Sequence, residues 1–159
     1  IILERLLSIF LSLLLVGIIS TLFFKNIAWG ILSIIPLGTA IILNFGLMGH
    51  FDAKLNHITA ILSSIIIGVG VDFAIHYISQ FRRLSKKKGN INQKVINEVG
   101  YPILLDAGSN MGFGALIFSA FIPVQYIGGL MIFAMISTSL GTLIILSSLV
   151  ELFKNKLTN

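Results

Sequence analysis

The stretch from about Ile58 to Ile78 constrains this chain most, because it is apolar and contains one carboxylate, Asp72. A membrane-spanning helix needs about 20 predominantly apolar residues, and this run is long enough. A charged side chain at the centre of such a helix costs about 2.5–3.5 kcal/mol on insertion scales, and it usually faces a bundle interior or a water path. The run therefore predicts a membrane helix in which Asp72 is the first candidate for a functional residue.

The neighbours of Asp72 on the predicted helix are small or polar. Ser64, Gly68, Asp72 and His76 recur at four-residue intervals and therefore share one face. One hypothesis is that Asp72 takes up and releases a proton, and the alternative is that it only makes an interhelical hydrogen bond. His76 is either a proton relay from Asp72 toward the cytoplasm or a hydrogen-bonding residue near the helix end.

Composition supports lipid as the solvent of this chain. Of its 159 residues, 56% are hydrophobic and 11% are charged, and the mean hydropathy is +1.00. A soluble domain of this length cannot bury so much apolar surface. The chain has no cysteine, which excludes disulfides and thiolate metal sites. Its isoelectric point near 9.8 reflects basic residues in short hydrophilic gaps, so topology explains it better than nucleic-acid binding does.

The order of apolar runs predicts an all-α integral membrane bundle. Five transmembrane helices are expected, at about 6–24, 27–48, 57–81, 101–121 and 126–153. The hydrophilic stretch 82–100 is predicted to be a loop that carries a short amphipathic helix on the membrane surface, because Ile91, Val95, Ile96 and Val99 are spaced so that some share a helical face. Residues 122–125 are expected to form a tight turn.

Lysine and arginine set the predicted orientation. If the 82–100 loop is cytoplasmic, nine of the eleven basic residues lie on that side, and only Arg5 and Lys54 lie on the other. The N-terminus is then outside and the C-terminus is inside. The chain begins without methionine and enters a helix almost at once, so we expect it to be part of a longer protein with at least one further upstream span. The basic cluster 82–88 is a topology signal or an anionic-lipid contact.

A second acid, Asp106, lies in the predicted fourth span, and Asn110 follows one turn later. Asp106 could lie at a similar depth to Asp72, in which case the two acids would share protons. The alternative is that Asp106 is hydrated near the interface. A metal site formed by His50, His57 and Asp52 is possible, but a simple loop explains these residues better. We expect no metal, no cofactor and no catalytic residue.

Small residues predict where helices touch, since close van der Waals approach drives helix association in lipid. The predicted packing positions are Gly68, Gly70, Gly108, Gly112 and Gly141.

The stretch 68–83, GVGVDFAIHYISQFRR, resembles the G-x-G-V-D-Y-x-I-H-F-x-x-R-Y-R signature of resistance–nodulation–division (RND) permeases. The closest type is the MMPL-like or predicted exporter branch. Ile35-Pro36 and residues 44–49 (NFGLMG) are similar to upstream segments of that branch, and Pro102–Leu104, Gly112-Phe113 and Phe118–Pro123 are similar to its next helix and turn. The resemblance covers nearly the whole chain.

This resemblance implies the last five spans of one half of such a permease, with the C-terminal half as the better fit. It implies export of hydrophobic or lipid-like molecules driven by the proton gradient across a bacterial-type inner membrane, with Asp72 as the coupling residue. The partners implied are membrane lipids, the substrate and the rest of the permease; a homo-oligomer is also possible. Two positions depart from the pattern: Phe73 replaces tyrosine, and Asp106 stands where asparagine is more usual.

Two other function classes remain open. An intramembrane aspartyl protease would also use two aspartates in adjacent spans, but that class has G-x-G-D, whereas Val71 separates Gly70 from Asp72 and turns the carboxylate by about 100° on a helix. A sterol-sensing-type regulatory bundle would bind lipid and tolerate the loss of Asp72.

Overall fold

The computed structural model describes residues 2–50, 57–85 and 90–157. Every regular element in these residues is helical, and they contain no strand. The predicted all-α bundle is therefore confirmed. The elements are α1 (Ile2–Phe24), α2 (Ile27–His50), α3 (His57–Leu84), α4 (Ile91–Asn110), a 3-10 helix (Met111–Phe118), α5 (Ile122–Leu140), a π turn (Gly141–Leu146) and α6 (Ser147–Leu157).

Four helical stretches are long and apolar enough to cross a membrane. They are Leu6–Phe24, Ile27–His50, Leu62–Leu84 and Ile122–Phe153, the last of which contains α5, the π turn and part of α6. The last stretch begins at Ile122, so the tight turn predicted at 122–125 is instead the first turn of α5. The turn lies just before α5, where the side-chain amide of Gln125 donates to the Ser119 carbonyl at 2.7 Å.

The structure differs from the prediction between residues 91 and 121. The predicted surface helix and the predicted fourth span are not separate, because α4 continues from Ile91 through Pro102 to Asn110 and a 3-10 helix follows it. The sequence Gly100-Tyr101-Pro102 resembles a helix break. However, Pro102 only removes the hydrogen bond to the Glu98 carbonyl, and that carbonyl lies on an exposed residue near the polar end of α4. The apolar stretch is thus divided between two kinds of helix.

The centre of the bundle is α3. Its side chains Phe73, Tyr77 and Phe81 are fully buried, and Phe81 contacts the ring of Trp29 on α2 with centroids 5.8 Å apart. Helices α2, α4 and α5 pack around α3. Helix α1 is peripheral and mostly exposed, and it packs mainly on α2. An apolar helix whose outer surface is exposed is expected where the surroundings are lipid.

Tight turns and close approaches fix how the helices meet. Lys25 has φ 53°, a left-handed conformation that reverses the chain between α1 and α2, and the Asn26 carboxamide oxygen accepts from the Ala28 N–H at 2.8 Å to cap α2. Further along α2, Pro36 faces the π turn. A Cβ added at Gly141 would lie 3.7 Å from the Pro36 carbonyl oxygen, so the two backbones pass close together.

Candidate functional site

The face of α3 that carries the candidate acid lies outside the core of this chain. Ser64, Gly68, Asp72 and His76 are all exposed, and their four-residue spacing places consecutive members about 40° apart around α3. We call this set the α3 polar stripe. Among the described residues, Asp72 and His76 have no hydrogen-bond or ion-pair partner. The structure therefore places both predicted proton-coupling residues of α3 on a surface of the described chain.

The opposite face of α3 explains this orientation. Gly70 is buried, and a Cβ added there would lie 3.3 Å from both Leu37 Cγ on α2 and Thr138 Cγ2 on α5. Residues two positions apart on a helix, such as Gly70 and Asp72, point about 200° apart. Since Gly70 faces the junction of α2 and α5, Asp72 must face away from it. Gly70 therefore provides the helix contact, and Asp72 lies on the exposed side of α3.

A groove of about 340 Å³ lies between α1 and α3, beside the α3 polar stripe. Its walls are apolar except for the hydroxyl groups of Ser12 and Ser64, and Gly68 forms part of its floor. The remaining lining residues are Leu11, Leu15, Val16 and Ile67. Gly68 has open space beside it and lies one helical turn before Asp72, which is not itself a lining residue of the groove. An apolar chain fits such a surface better than a polar solute does.

The second predicted acid is paired locally. On exposed Asp106, the carboxylate accepts from the Asn110 side-chain amide at 3.3 Å, and the backbone carbonyl accepts from the same amide at 3.0 Å. The two residues predicted on one face of this helix therefore do bond to each other. Among the described residues, no hydrogen bond joins Asp106 to Asp72, and proton sharing between the two acids stays a prediction.

The predicted packing glycines divide into two groups. Gly70 and Gly141 lie at close helix contacts, whereas Gly68, Gly108 and Gly112 have no heavy atom within 4 Å of an added Cβ, apart from their own helix and chain neighbours. Two tight contacts lie at glycines that were not predicted as packing positions. Gly30 touches Thr21 of α1, and a Cβ added at Gly128 would lie 2.6 Å from the Ile117 backbone nitrogen. The spacing of small residues shows that contacts exist, but it does not show which glycine makes them.

A polar cluster that the sequence analysis also missed joins α3, α4 and α6. Asn92 is the shared residue: its side-chain oxygen accepts from the Tyr77 hydroxyl, and its amide donates to the Ser147 carbonyl at 3.3 Å and to the Glu151 carboxylate at 3.1 Å. The sequence does contain a pattern that points to this cluster. Asn92 is a polar residue on the helical face that is otherwise formed by Val95, Ile96 and Val99. A polar residue on such a face predicts a buried partner.

A neighbouring contact fastens the same end of α3 to α4. The Glu98 carboxylate accepts from the side-chain amide of Gln80 and pairs with the Arg83 guanidinium at 3.1 Å. Arg83 is 70% exposed and Glu98 is 46% exposed, so water screens this ion pair strongly. It sets the register of the two helices more than it stabilises them.

Several predicted features fall outside the described residues. Asp52 and Lys86–Lys88 are among these, and so is the side chain of His57, while His50 is the last residue of α2. The candidate metal site and most of the basic cluster are therefore not described by the structure.

Comparison with known proteins supports a membrane protein and no more specific class. No family model matches the chain. The chain is 28% identical over 104 residues to a Methanocaldococcus jannaschii protein named "Putative membrane protein MJ1562", and the match covers 63% of this chain and 27% of that protein. The chain thus corresponds to about a quarter of the length of this relative. The relative and the four apolar helices agree on a membrane protein.

Proposed function

We propose that this chain is the transmembrane part of a proton-driven exporter of the RND type, with Asp72 as the residue that carries the proton. The observation that supports this most is the environment of Asp72. It lies in a helix of membrane-spanning length, has no partner among the described residues, and is exposed on a stripe of small and polar residues. A carboxylate in lipid is costly, so such a stripe requires protein or water beside it.

The partner that would cover the stripe is the remainder of the permease, in our proposal its other half. Gly68 and Ser64 present little side chain, which lets a second helix approach closely. A helix there would exclude lipid from Asp72 and leave a narrow polar path that includes His76. We assign the N-terminus to the outside and the C-terminus to the cytoplasm of a bacterial-type inner membrane, since most basic residues then lie inside.

Proton uptake would act on the fit between helices. A charged Asp72 attracts polar groups of the covering helix and water, and a neutral Asp72 does not. Because Gly70, two residues away, contacts both α2 and α5, a shift of α3 is transmitted directly to those helices. Alternating access follows if the two charge states favour two arrangements of the bundle. Asp106 is a second candidate, although its bond to Asn110 gives it a local role as well.

The groove between α1 and α3 favours a second candidate function, a lipid-binding regulatory bundle. Its apolar walls and two hydroxyl groups suit a lipid-like molecule. In a transporter, the same groove would hold a hydrophobic substrate close to the coupling residue. The two functions differ in whether Asp72 is required.

The test is proton flux through the complete protein in liposomes that contain a trapped pH-sensitive dye. We expect Asp72→Asn, which keeps the shape of the side chain but cannot ionise, to reduce flux to the level of protein-free liposomes. Glu98→Gln is the matched control, because it makes the same change in an exposed ion pair at a helix end, and it should retain flux. Full flux in Asp72→Asn would refute the proposal, and retained lipid binding without any flux in the wild type would favour the regulatory bundle.

A further inference from the structure

The helical segment from Ile122 to Leu157 is irregular at one turn. At the π turn, Gly141–Leu146, the regular α-helical hydrogen-bond pattern is interrupted. Serine and threonine hydroxyls on both sides of the turn donate to carbonyls of their own helix, an arrangement that often bends helices. These bonds are Ser137 and Thr138 to the Ala134 carbonyl, Ser139 to that of Ile136, and Ser147 and Ser148 to that of Ile144.

The neighbouring helix is irregular at the same level. Pro36 of α2 faces Gly141 and lacks the N–H that would continue the α2 hydrogen-bond pattern. Within the π turn, the Thr142 hydroxyl is fully buried and has no hydrogen-bond partner among the described residues. At this level a π turn and a proline-containing helix are therefore in contact, with an unsatisfied polar group beside them. This level has the properties of a hinge.

Beyond the hinge, α6 is held by the polar cluster at Asn92. The two bonds from the Asn92 amide reach the first turns of α6, at the Ser147 carbonyl and the Glu151 carboxylate. The Asn92 oxygen accepts from Tyr77 and so connects the same residue to α3. Leu146 and Val150 add buried apolar contact. One side chain of α4 therefore bonds to both α6 and the central helix.

We propose that α6 is a hinged segment, with the π turn as its hinge and Asn92 as the latch that holds it against α3 and α4. Release of the latch lets α6 turn away while α5 stays in the bundle. The Tyr77 hydroxyl, which is buried in the latched state, is then open to water one residue after His76. This inference does not depend on proton coupling, because it rests on the π turn, its contact with Pro36 and the hydrogen bonds of Asn92, and not on Asp72.

Hydrogen–deuterium exchange of the complete protein in lipid nanodiscs tests the latch. In Asn92→Leu, the amides of residues 147–157 should exchange about tenfold faster, because both hydrogen bonds from α4 are lost. The amides of residues 122–140 should keep the wild-type rate. The step in exchange rate is expected at the π turn, whereas a purely structural contact would change exchange on both sides of it.

Three further variants make the result decisive. Gln93→Leu removes an exposed side chain one residue away and should leave exchange unchanged. Asn92→Gln keeps the amide oxygen and the NH2 group on a longer side chain and should restore part of the protection. Glu151→Ala removes one of the two bonds at an exposed position and should give a smaller increase in the same residues, even if Asn92→Leu does not fold. An equal rise over residues 122–157, or no rise in any variant, would overturn the proposal.

Discussion

At the residue scale, Arg82 makes two contacts with the last residue of α1. Its guanidinium donates to the Phe24 carbonyl at 3.1 Å and lies 5.5 Å from the centre of the Phe24 ring. The Phe24 carbonyl is at the C-terminus of α1, where the helix dipole favours a cation and the last carbonyls lack partners within the helix. Arg82 therefore joins the end of α3 to the peripheral helix α1.

We predict that Arg82→Gln destabilises the protein by about 1–2 kcal/mol, since it loses the interaction with the helix end and the cation–π contact. Arg83→Gln is the matched control, because it is the next residue and its ion pair with Glu98 is exposed; it should cost about 0–0.5 kcal/mol. Thermal unfolding in detergent, followed by circular dichroism, measures both. Equal effects of the two substitutions would show that charge alone matters.

At the element scale, the 3-10 helix is held against α5 by glycines. A Cβ added at Gly128 would lie 2.6 Å from the Ile117 nitrogen, and one added at Gly114 would lie 2.6 Å from Ile132 Cγ1. The backbone of the 3-10 helix therefore lies directly on α5. Because backbone cannot move aside as the end of a side chain can, Gly128 is the less tolerant of the two positions.

Gly128→Ala is expected to destabilise the protein by about 1–3 kcal/mol, the usual cost of overpacking a close contact. The next residue provides the control: Gly129 has nothing within 4 Å of an added Cβ, so Gly129→Ala should be neutral or slightly stabilising, because alanine is the better helix former. Both variants can be compared by thermal unfolding in the same detergent. Should Gly128→Ala be as stable as Gly129→Ala, the close packing of the 3-10 helix on α5 would be wrong.

The sequence predicted the long helices better than their orientation. The predicted span 27–48 and the observed α2, Ile27–His50, nearly coincide, because an apolar run ends where polar residues begin. The direction in which Asp72 points is a different kind of property. It depends on which face of α3 packs on α2 and α5. From the sequence, either Gly68 or Gly70 could mark that face, and only the contacts of Gly70 with Leu37 and Thr138 identify it. The change from α to 3-10 geometry at Met111 was not predicted from the sequence.

At the scale of the whole molecule, the segment 91–118 decides the topology. It is not one of the four helical stretches that are long and apolar enough to count as membrane spans. Its length is nevertheless enough to cross the hydrocarbon layer. Ten residues of α4 after Gly100 rise about 15 Å at 1.5 Å per residue. The eight residues of the 3-10 helix add about 16 Å at 2.0 Å per residue. The total is close to the hydrocarbon thickness of about 30 Å, so we expect this composite element to cross the membrane as a fifth span.

The absence of cysteine from the chain makes that crossing testable with single substitutions. Gln93→Cys is exposed near the start of α4, and Gln125→Cys is exposed in the first turn of α5. If residues 91–118 cross the membrane, a membrane-impermeant thiol reagent added to intact cells should label position 125 and not position 93, whereas inverted vesicles should give the opposite result. Labelling of both positions from the same side would mean that the segment enters and leaves on one face. In that case α5 and α6 would run in the opposite direction to the one proposed. Lys154 and Lys156 would then lie outside, and the cytoplasmic side would hold seven of the eleven basic residues instead of nine.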